Sequence, residues 1–459
     1  MEPITIQEIL DWTGAVPDRE IDPALVIHQI SKDTKTLEQG ALFVPLKGAR
    51  FDGHDFIGAA VEAGAAAVLC SRREQNSAVP RLMVEDTLQA SQKLAGGYRC
   101  KLNPTVVGVT GSVGKTTTSA MIAAVLETRW ELARTRADMN GQVGLTFDMF
   151  NLTPAQRVAV WEMGMSLPGE LTRLSNMAQP DIAVINSIGT AHIEFFGTRE
   201  RIREAKLEIM AGMPQDGTLI LNGDEPLLWD LRGKLDKKTL CYGLHNENAD
   251  LRGETLSADT EGQRLRVTGM GRELTVYLPA IGEHNAQNAL AALLCGIVLG
   301  LDDDELARGI AGFVSPDGRQ HIVQHHGMTV MEDCYNASPD AVKASLKVLA
   351  TLGSGKKYAA LGGMRELGEY APTAHRECGA AAAAVVSGLY LYGEGADAYR
   401  EGALSAGMCE ADIRVCEDHE QIAQALAQQA VSGDALLFKG SRLMHMENAM
   451  KRFYELTEK

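Results

Sequence analysis

Short apolar runs, bounded by glycine or polar residues, recur through the middle of the chain and alternate with longer amphipathic stretches. These runs predict buried strands at 106–110, 158–163, 182–186 and 218–222, and a long helical stretch follows at 282–299. The intervening stretches are long enough for helical crossovers. The pattern therefore predicts a mostly parallel sheet with right-handed connections.

A second alternation of strands and helices begins after residue 319 and continues nearly to the end of the chain. Predicted strands lie at 328–332, 358–361, 389–392 and 435–438, and the helices between them include 341–349 and 375–386. This arrangement is typical of a separate doubly wound domain.

Two other regions have patterns of their own. Before residue 100, strands at 41–46 and 66–69 flank a helix at 56–65, which predicts a small α/β unit with polar loops at its strand ends. Between residues 240 and 280, near alternation at 264–268 and 273–278 predicts a small antiparallel annex.

Composition narrows the function classes. The chain has 459 residues and a net charge of −16, with no basic stripe, which argues against a nucleic-acid partner. No apolar run approaches the roughly 20 residues of a membrane span, and no secretory segment opens the chain. The eight cysteines are scattered without a C-x-x-C pair, as in reduced thiols. We expect a cytoplasmic, monomeric, multidomain enzyme without membrane insertion.

The sequence T-G-S-V-G-K-T-T at 110–117 follows a predicted strand and precedes a predicted helix at 116–126. In that context Gly111, Ser112, Val113 and Gly114 can close backbone N–H groups around a polyphosphate. Lys115 supplies a positive charge, Thr116 a hydroxyl for Mg²⁺, and Thr117 continues the loop into the helix. Position 109 is valine where the general motif has glycine, so this is a shorter form. A structural glycine turn is the alternative.

With this loop, the predicted fold class is α/β with three domains. Residues 1–100 would form a small α/β domain, and 101–315 a central phosphate-loop (P-loop) domain with a mostly parallel sheet. Residues 316–459 would form a Rossmann-like doubly wound domain. Proline at position 104 marks the first boundary.

Three residues beyond the loop are candidates for a metal site. Glu162 ends a predicted strand, where a carboxylate can reach Mg²⁺, although a solvated loop acid would look the same. His192 follows the predicted strand at 182–186, but histidine is a poor Mg²⁺ ligand and a hydrogen-bonded loop histidine is the alternative. Lys206 lies among helical charges, which are usually solvated.

The sequence K-G-S-R at 439–442 follows the last predicted strand and precedes a helix. Arginine in such a position can bind an anion or carboxylate through two parallel hydrogen bonds. A structural strand–helix turn is the alternative.

Taken in order, these motifs resemble the Mur ligases of peptidoglycan synthesis. The resemblance rests on the P-loop, E-M-G-M-S-L-P-G-E at 162–170, N-S-I-G-T-A-H-I-E at 186–194, A-K-L-E at 205–208, G-E-H-N-A-Q-N-A-L-A-A at 282–292 and D-C-Y-N-A-S-P-D at 333–340. The stretch at 40–56 is similar to the family's UDP-binding N-terminal domain. The motifs span residues 31–442, nearly the whole chain.

Within the family, the segments 333–339, 361–368 and 438–442 look most like the branch that adds a dipeptide to a nucleotide-linked peptide. The resemblance implies an ATP-dependent amide ligase that joins D-Ala-D-Ala to UDP-N-acetylmuramoyl-tripeptide through an acyl phosphate. It also implies ATP, two Mg²⁺ ions and carbamylation of Lys206 by CO₂.

The resemblance further assigns roles to individual residues. Lys115, Glu162, His192 and Lys206 would be catalytic. Thr116 and Glu162 would bind one Mg²⁺, and Glu162, His192 and carbamylated Lys206 the second. ATP would contact 111–117 and five later residues, namely Asn186, Asn288, Arg319, Asp333 and Asn336. The other substrates would contact Ser31, Asp33, Thr34, Gly48, Asp52, His54, Asn140, Lys439, Ser441 and Arg442.

The chain departs from the family pattern at two places. Lys35 stands where relatives usually have arginine, and lysine cannot form a two-pronged contact. The segment 361–364 has glycine where many relatives carry aspartate.

Three alternatives remain. A sister ligase that adds the third amino acid would carry a D-N-P-[RA] motif, which does not occur here. A folylpolyglutamate-synthase-like ligase would lack the N-terminal domain, and a P-loop switch or motor would lack a UDP-sugar site. The sequence leaves open whether the third peptide residue is diaminopimelate or lysine, and whether D-Ala-D-lactate or D-Ala-D-Ser is accepted.

Overall fold

The computed structural model describes residues 1–48, 50–73, 77–136 and 138–458. The N-terminal part contains a five-stranded sheet, ordered β2-β7-β6-β5-β4, and a separate antiparallel pair of β1 and β3. Its elements are β1 (Ile4–Thr5), α1 (Ile6–Thr13), β2 (Val16–Pro17), β3 (Val26–Ile27), β4 (Ile30–Ser31), β5 (Leu42–Phe43), α2 (Ile57–Glu62), β6 (Ala67–Cys70), β7 (Arg81–Met83) and α3 (Thr87–Leu102).

The central part is built on one nine-stranded sheet. Its elements are β8 (Thr105–Thr110), α4 (Lys115–Leu126), β9 (Leu132–Arg134), α5 (Gln142–Met149), β10 (Val158–Glu162), α6 (Glu170–Ala178), β11 (Ile182–Ile185), α7 (Ile193–Phe196), α8 (Arg199–Leu207), β12 (Thr218–Asn222), α9 (Pro226–Trp229), β13 (Lys238–Gly243), β14 (Leu251–Ala258), β15 (Gln263–Gly269), β16 (Arg272–Leu278), α10 (Glu283–Val298) and α11 (Asp303–Ala311).

The C-terminal part is a six-stranded sheet with helices between its strands. Its elements are β17 (His321–His325), β18 (Met328–Asp333), α12 (Pro339–Thr351), β19 (Lys357–Gly362), α13 (Ala371–Ala383), β20 (Gly388–Tyr392), α14 (Ala396–Ser405), β21 (Ile413–Cys416), α15 (His419–Gln429), β22 (Ala435–Lys439) and α16 (Met446–Thr457).

Strand order places the P-loop at a reversal of the central sheet. The order is β16-β15-β14-β13-β12-β11-β8-β10-β9, and every pairing from β14 to β9 is parallel. After β8 the chain moves first to β9 and β10 on one side and then to β11 on the other. Ligands bind outside the carboxyl ends of strands at such a point, because neighbouring loops diverge there.

The mixed α/β architecture with mostly parallel sheets agrees with the predicted fold class. The expected antiparallel annex forms one edge of the central sheet, where β15 pairs antiparallel with β14 and with β16. The helix predicted at 56–65 is shorter, with a 3₁₀ turn at Gly53–Phe56 before α2. The strand predicted at 41–46 is reduced to β5.

One hydrophobic core joins the N-terminal and central parts. It contains Ile9 of α1, Leu94 and Tyr98 of α3, and Met149 and Trp161 of the central sheet region. The hydroxyl of Tyr98 donates to the carbonyl of Leu152 at 2.6 Å, so the buried phenol is hydrogen-bonded. Helix α3 extends through Leu102 and therefore crosses the domain boundary predicted at 100/101, which stays a prediction.

None of the helices in the described ranges is long and apolar enough to cross a membrane.

Helices α13 and α14 cross at two glycines. A Cβ on Gly379 would lie 1.9 Å from the carbonyl oxygen of Tyr399, and one on Gly402 would lie 1.9 Å from that of Arg376. Backbone atoms cannot move aside as side chains can, so the crossing needs glycine on both helices.

We expect Gly379→Ala to destabilise the C-terminal domain by about 1–3 kcal/mol.

Hydrogen exchange measured by mass spectrometry on peptides from α13 and α14 checks this prediction, and protection should fall. Gly58→Ala is the matched control, because Gly58 lies in α2 with open space around it. That change should leave protection of α13 and α14 unaltered and stabilise α2 by roughly 0.5–1 kcal/mol. Equal protection in Gly379→Ala and the wild-type protein would contradict the account.

Candidate functional site

The P-loop leaves β8 at Thr110 and enters α4 at Lys115. Gly114 has a φ of 82°, a conformation that glycine adopts without strain. Gly111 is required for space, because a Cβ there would lie 1.7 Å from Oδ1 of Asn186. The loop therefore passes directly over the residue that follows β11.

Ser187 holds the P-loop, although the sequence did not single it out. Its carbonyl accepts from the N–H of Ser112 at 3.0 Å, and its Oγ accepts from the N–H of Val113 at 2.9 Å. The ammonium of Lys115 donates to the carbonyl of Gly111 at 2.9 Å. The loop backbone is thus fixed before any ligand binds.

A polar chain lies beneath the loop. Nδ2 of Asn186 donates to Oγ1 of Thr118 at 2.8 Å, and that hydroxyl donates to Oδ1 of Asn288 at 2.9 Å. Asn288 lies on α10, and both asparagines are buried. Their side chains connect α4, α10 and the end of β11, and both residues also line the cleft described below.

Glu162 is the last residue of β10 and is only 5% exposed. Oε1 accepts a hydrogen bond from Nδ2 of Asn140 at 2.7 Å. On the other side of the loop, a guanidinium nitrogen of Arg319 donates to Oγ1 of Thr116 at 3.3 Å. A buried carboxylate and a nearby hydroxyl are oxygen ligands of the kind that Mg²⁺ prefers, together with substrate phosphates.

Two lysines of the central domain, the half-buried Lys115 and the buried Lys206, have lowered pKa values. Burial lowers the pKa of Lys115, and the nearby charge of Glu162 opposes that shift. Lys206 is 1% exposed, and burial, followed by the charge of Lys115, lowers its pKa well below the ordinary value. Within the described ranges no hydrogen bond or ion pair involves the Lys206 ammonium. This residue is therefore a buried amine and not a solvated helix lysine.

His192 contacts the C-terminal domain. Its φ is 64°, and its Nδ1 lies 2.6 Å from Oε2 of Glu366. The contact with His192 is the main cause that lowers the pKa of Glu366, and burial opposes it. Within the described ranges, no group of three or more His, Cys, Asp or Glu side chains is placed to hold a metal ion.

Asp333 and Lys439 form a buried ion pair at the ends of neighbouring strands β18 and β22. Nζ of Lys439 donates to Oδ2 of Asp333 at 2.6 Å and to the carbonyl of Asn336 at 3.0 Å. Oδ2 of Asp333 also accepts from Oγ of Ser345 at 2.6 Å. The charge of Lys439 is thus balanced within the protein.

The residues after β22 face the same space. Oγ of Ser441 is buried and has no hydrogen-bond partner among the described residues. Arg442 donates to Glu447 at 3.1 Å, and its guanidinium lies 5.8 Å from the ring centre of Tyr335. An unpaired buried hydroxyl at a cleft wall is available to a ligand.

One cleft of about 770 Å³ brings most of these residues together, between the central and C-terminal domains. This volume suits a nucleotide with part of a second substrate. Sequence-predicted residues among its walls are Ser112, Val113, Gly114, Lys115, Thr116, Thr117, Asn140, Glu162, Asn186, His192, Asn288, Arg319, Asp333, Asn336, Lys439, Ser441 and Arg442. Tyr335, Gln320 and Glu366 also line it, and sequence reasoning missed them.

The residues predicted in the N-terminal domain lie outside this cleft. Oγ of Ser31 donates to the carbonyl of Asp33 at 2.9 Å, which shapes a turn. Asp33 is exposed and Thr34 is half-buried. The N–H of Gly48 donates to the carbonyl of Phe51 at 3.0 Å.

Asp52 and His54 are bound to each other. Oδ1 of Asp52 accepts from the backbone N–H of His54 at 2.9 Å and lies 2.6 Å from its Nδ1, while Oδ2 accepts from Arg72 at 2.6 Å. The N–H of Ser71 donates to Nε2 of His54 at 3.1 Å, so Nδ1 carries the ring proton. Both side chains therefore hold the turn after β5.

Three family descriptions match successive parts of the chain. Residues 26–99 match the Mur ligase family catalytic domain, 109–296 the Mur ligase middle domain, and 318–442 the Mur ligase glutamate ligase domain.

Among curated proteins, the chain is 40% identical over 458 residues to UDP-N-acetylmuramoyl-tripeptide–D-alanyl-D-alanine ligase of Bacillus subtilis (strain 168). The match covers 98% of this chain and 97% of that protein. Among solved structures, it is similar to MurF from Acinetobacter baumannii, with a TM-score of 0.92, 28% identity and 99% of each chain covered. MurF ligase from Thermotoga maritima in complex with ADP has a TM-score of 0.84 and 32% identity, covering 94% of this chain and 98% of that one.

The Asp52 network gives a pH prediction. Burial by itself would raise the pKa of Asp52, but hydrogen bonds from His54 and the charge of Arg72 lower it to about 2. A carboxyl with a depressed folded-state pKa stabilises the fold above its unfolded pKa, and this stability is lost as pH falls toward the folded pKa. We expect Asp52→Asn to destabilise the protein at pH 6 and progressively less between about pH 4 and 2.

Urea midpoints of the wild-type and variant proteins across this pH range check the prediction. Asp55→Asn is the control, because Asp55 also pairs with Arg72, at 2.8 Å, but its side chain is 62% exposed. Asp55→Asn should lower the free energy of unfolding by less than Asp52→Asn does at every pH. A difference between wild type and Asp52→Asn that stays constant from pH 6 to pH 2 would refute the prediction.

Proposed function

The chain belongs to the Mur ligase family, and from this premise we infer that it is an ATP-dependent ligase that joins D-Ala-D-Ala to UDP-N-acetylmuramoyl-tripeptide. The inference rests on one arrangement, a single cleft lined by the P-loop of the central domain and by the strand ends of the C-terminal domain. A nucleotide and an amine acceptor can meet there.

The reaction proceeds in two steps. A carboxylate oxygen of the tripeptide attacks the γ-phosphorus of ATP, so that a C–O–P bond forms and ADP leaves. The amine of D-Ala-D-Ala then attacks the acyl carbon through a tetrahedral intermediate. Phosphate leaves with the original carboxylate oxygen, and the amine loses a proton. Phosphorylation is needed because a free carboxylate is a poor electrophile at neutral pH.

Lys115 and the N-terminus of α4 stabilise the phosphate charge during the first step. Lys115 is half-buried in the cleft wall, where its charge is screened less than in open water. Helix α4 begins at Lys115 in the cleft wall, so the positive end of its dipole lies at the cleft. Arg319, beside Thr116, adds a second positive group.

Thr116 and Glu162 are the residues of the cleft that would bind magnesium. The Glu162 carboxylate is buried and, among its described contacts, accepts a hydrogen bond from the neutral amide of Asn140, so a cation would complete its pairing. When bound, magnesium would supply positive charge to the phosphate oxygens. His192 would contribute a ring nitrogen to a second ion.

We propose that Lys206 is carbamylated. CO₂ adds to a neutral amine, forming an N–C bond with release of one proton, and the lysine becomes an anion. The lowered pKa of Lys206 favours the neutral amine that this reaction needs. The product would turn a buried cation without a described partner into an oxygen ligand for the second magnesium.

The N-terminal domain would bind the UDP part of the tripeptide substrate. Asp33 is exposed just after β4, and residues 50–54 follow β5, so both lie beyond strand ends of the N-terminal sheet, where such sheets bind ligands. Because the substrates are nucleotide-linked precursors, we place the enzyme in the cytoplasm. We propose a monomer, since the cleft is formed within one chain.

Phosphate release tests the proposed reaction. It should require ATP, UDP-N-acetylmuramoyl-tripeptide and D-Ala-D-Ala together, and mass spectrometry should show the amide product in equal amount. A panel of tripeptides with diaminopimelate or lysine at the third position, crossed with D-Ala-D-Ala, D-Ala-D-Ser and D-Ala-D-lactate, gives the specificity. Equal phosphate release without any acceptor would instead identify a plain ATPase.

Lys115→Ala should lower kcat by about 10²–10³-fold, because the transferring phosphate loses its nearest fixed positive charge. Steady-state phosphate release with saturating substrates measures this change. Lys93→Ala, at an exposed position of α3, is the control and should retain full activity. Wild-type kcat in Lys115→Ala would remove the P-loop from the mechanism.

Lys206→Ala should also lose activity, and short carboxylic acids should partly restore it by supplying the missing carboxylate. The same acids should not restore Lys115→Ala, whose lost group is a cation. ¹³C NMR of the wild-type protein with ¹³C-bicarbonate should show a carbamate signal that is absent from Lys206→Ala. A signal of equal strength in both proteins, with no rescue by acids, would disprove carbamylation.

A further inference from the structure

Tyr335 lies in the cleft wall, two residues after the end of β18. It is half-buried, its ring contacts Arg319, and its hydroxyl contacts Asp138 of the central domain. A tyrosine that served only as packing would need neither contact.

The ring of Tyr335 supports Arg319. The guanidinium carbon of Arg319 lies 3.8 Å from the ring centre, which is a close cation–π stack. The same guanidinium donates to Oγ1 of Thr116 at 3.3 Å. The stack therefore limits the rotation of Arg319 and directs it toward the first turn of α4, where the P-loop ends.

The hydroxyl of Tyr335 donates to Oδ1 of Asp138 across the cleft. Asp138 is two residues from Asn140, whose Nδ2 donates to Glu162 at 2.7 Å. Burial, and then the bond to Asp138, raise the pKa of Tyr335 to about 12, so the phenol stays a donor at neutral pH. This contact joins the C-terminal domain to the segment that holds the Glu162 carboxylate.

The two contacts converge on Thr116 and Glu162, the pair that fits magnesium. We propose that Tyr335 is a positioning residue: its ring fixes Arg319 for nucleotide binding, and its hydroxyl fixes the 138–140 segment against the C-terminal domain. This inference rests on the proposed function, because it assigns a role within that reaction.

Three variants separate the two contacts. Tyr335→Phe keeps the ring and removes the hydroxyl, Tyr335→Leu removes both, and Asp138→Ala removes the acceptor alone. Calorimetry with ADP and Mg²⁺ measures nucleotide affinity without the tripeptide or dipeptide. Steady-state kinetics with all three substrates measures kcat and the KM for ATP.

We expect Tyr335→Leu to weaken ADP binding by about 5- to 30-fold, the range of a desolvated cation–π contact. Tyr335→Phe should bind ADP within about 2-fold of wild type and lower kcat by about 10-fold, with an unchanged KM for ATP. Asp138→Ala should lower kcat equally. Combining it with Tyr335→Phe should add no further loss, because both changes remove one hydrogen bond.

Tyr454→Phe is the matched control, since the Tyr454 hydroxyl donates to Glu332 at 2.6 Å within the C-terminal domain and away from the cleft. It should change neither ADP affinity nor kcat. Arg319→Lys keeps the charge without the planar stack and should weaken ADP binding about as much as Tyr335→Leu. It tests the ring contact even where Tyr335→Leu does not fold.

Wild-type ADP affinity in both Tyr335→Leu and Arg319→Lys would overturn the ring contact. Additive losses of kcat in Tyr335→Phe and Asp138→Ala would overturn the hydroxyl contact. A wild-type protein that binds ADP but forms no amide product would refute the proposed reaction, while the ADP measurements would still decide the role of the ring.

Discussion

The whole site depends on the close convergence of three parallel strand ends, those of β8, β10 and β11. The P-loop can pass over Asn186 only because Gly111 has no side chain, and Ser187 then holds two of the loop amides. Glu162, at the end of β10, faces the same space. Parallel pairing of these strands fixes the distances, so a shift in their register would separate the phosphate site from the carboxylate.

The charged side chains of the site differ in whether the protein itself supplies their partner of opposite charge. Lys439 is paired with Asp333 inside the C-terminal domain, so this pair stabilises the end of the sheet and does not offer a free charge. Burial lowers the pKa of Lys206, and the charge of Lys115 lowers it further, while the pKa of Lys115 is itself lowered by loss of solvent. ATP and magnesium would supply the charges that pair with Lys115 and Glu162, which couples ligand binding to stabilisation of the site.

Features that depend on neighbouring residues in the chain could be predicted from the sequence. The P-loop, the strands around it and the two Rossmann-like halves follow from apolar runs and glycine positions. Lys206 could not be placed from its charged helix, since only tertiary packing buries it. Ser187, Tyr335 and Glu366 carry no distinctive motif, and their roles depend on how domains meet. Asp52 and His54 are bonded to each other, a contact that the sequence did not indicate, and their expected role at a ligand stays a prediction.

The central claim is that one cleft forms an acyl phosphate from the tripeptide carboxylate. Its most direct test uses tripeptide labelled with ¹⁸O in the terminal carboxylate, with ATP and D-Ala-D-Ala. The account predicts that one ¹⁸O appears in each released phosphate, because the carboxylate oxygen that attacks the γ-phosphorus leaves with it. Unlabelled phosphate, formed together with the amide product, would contradict it.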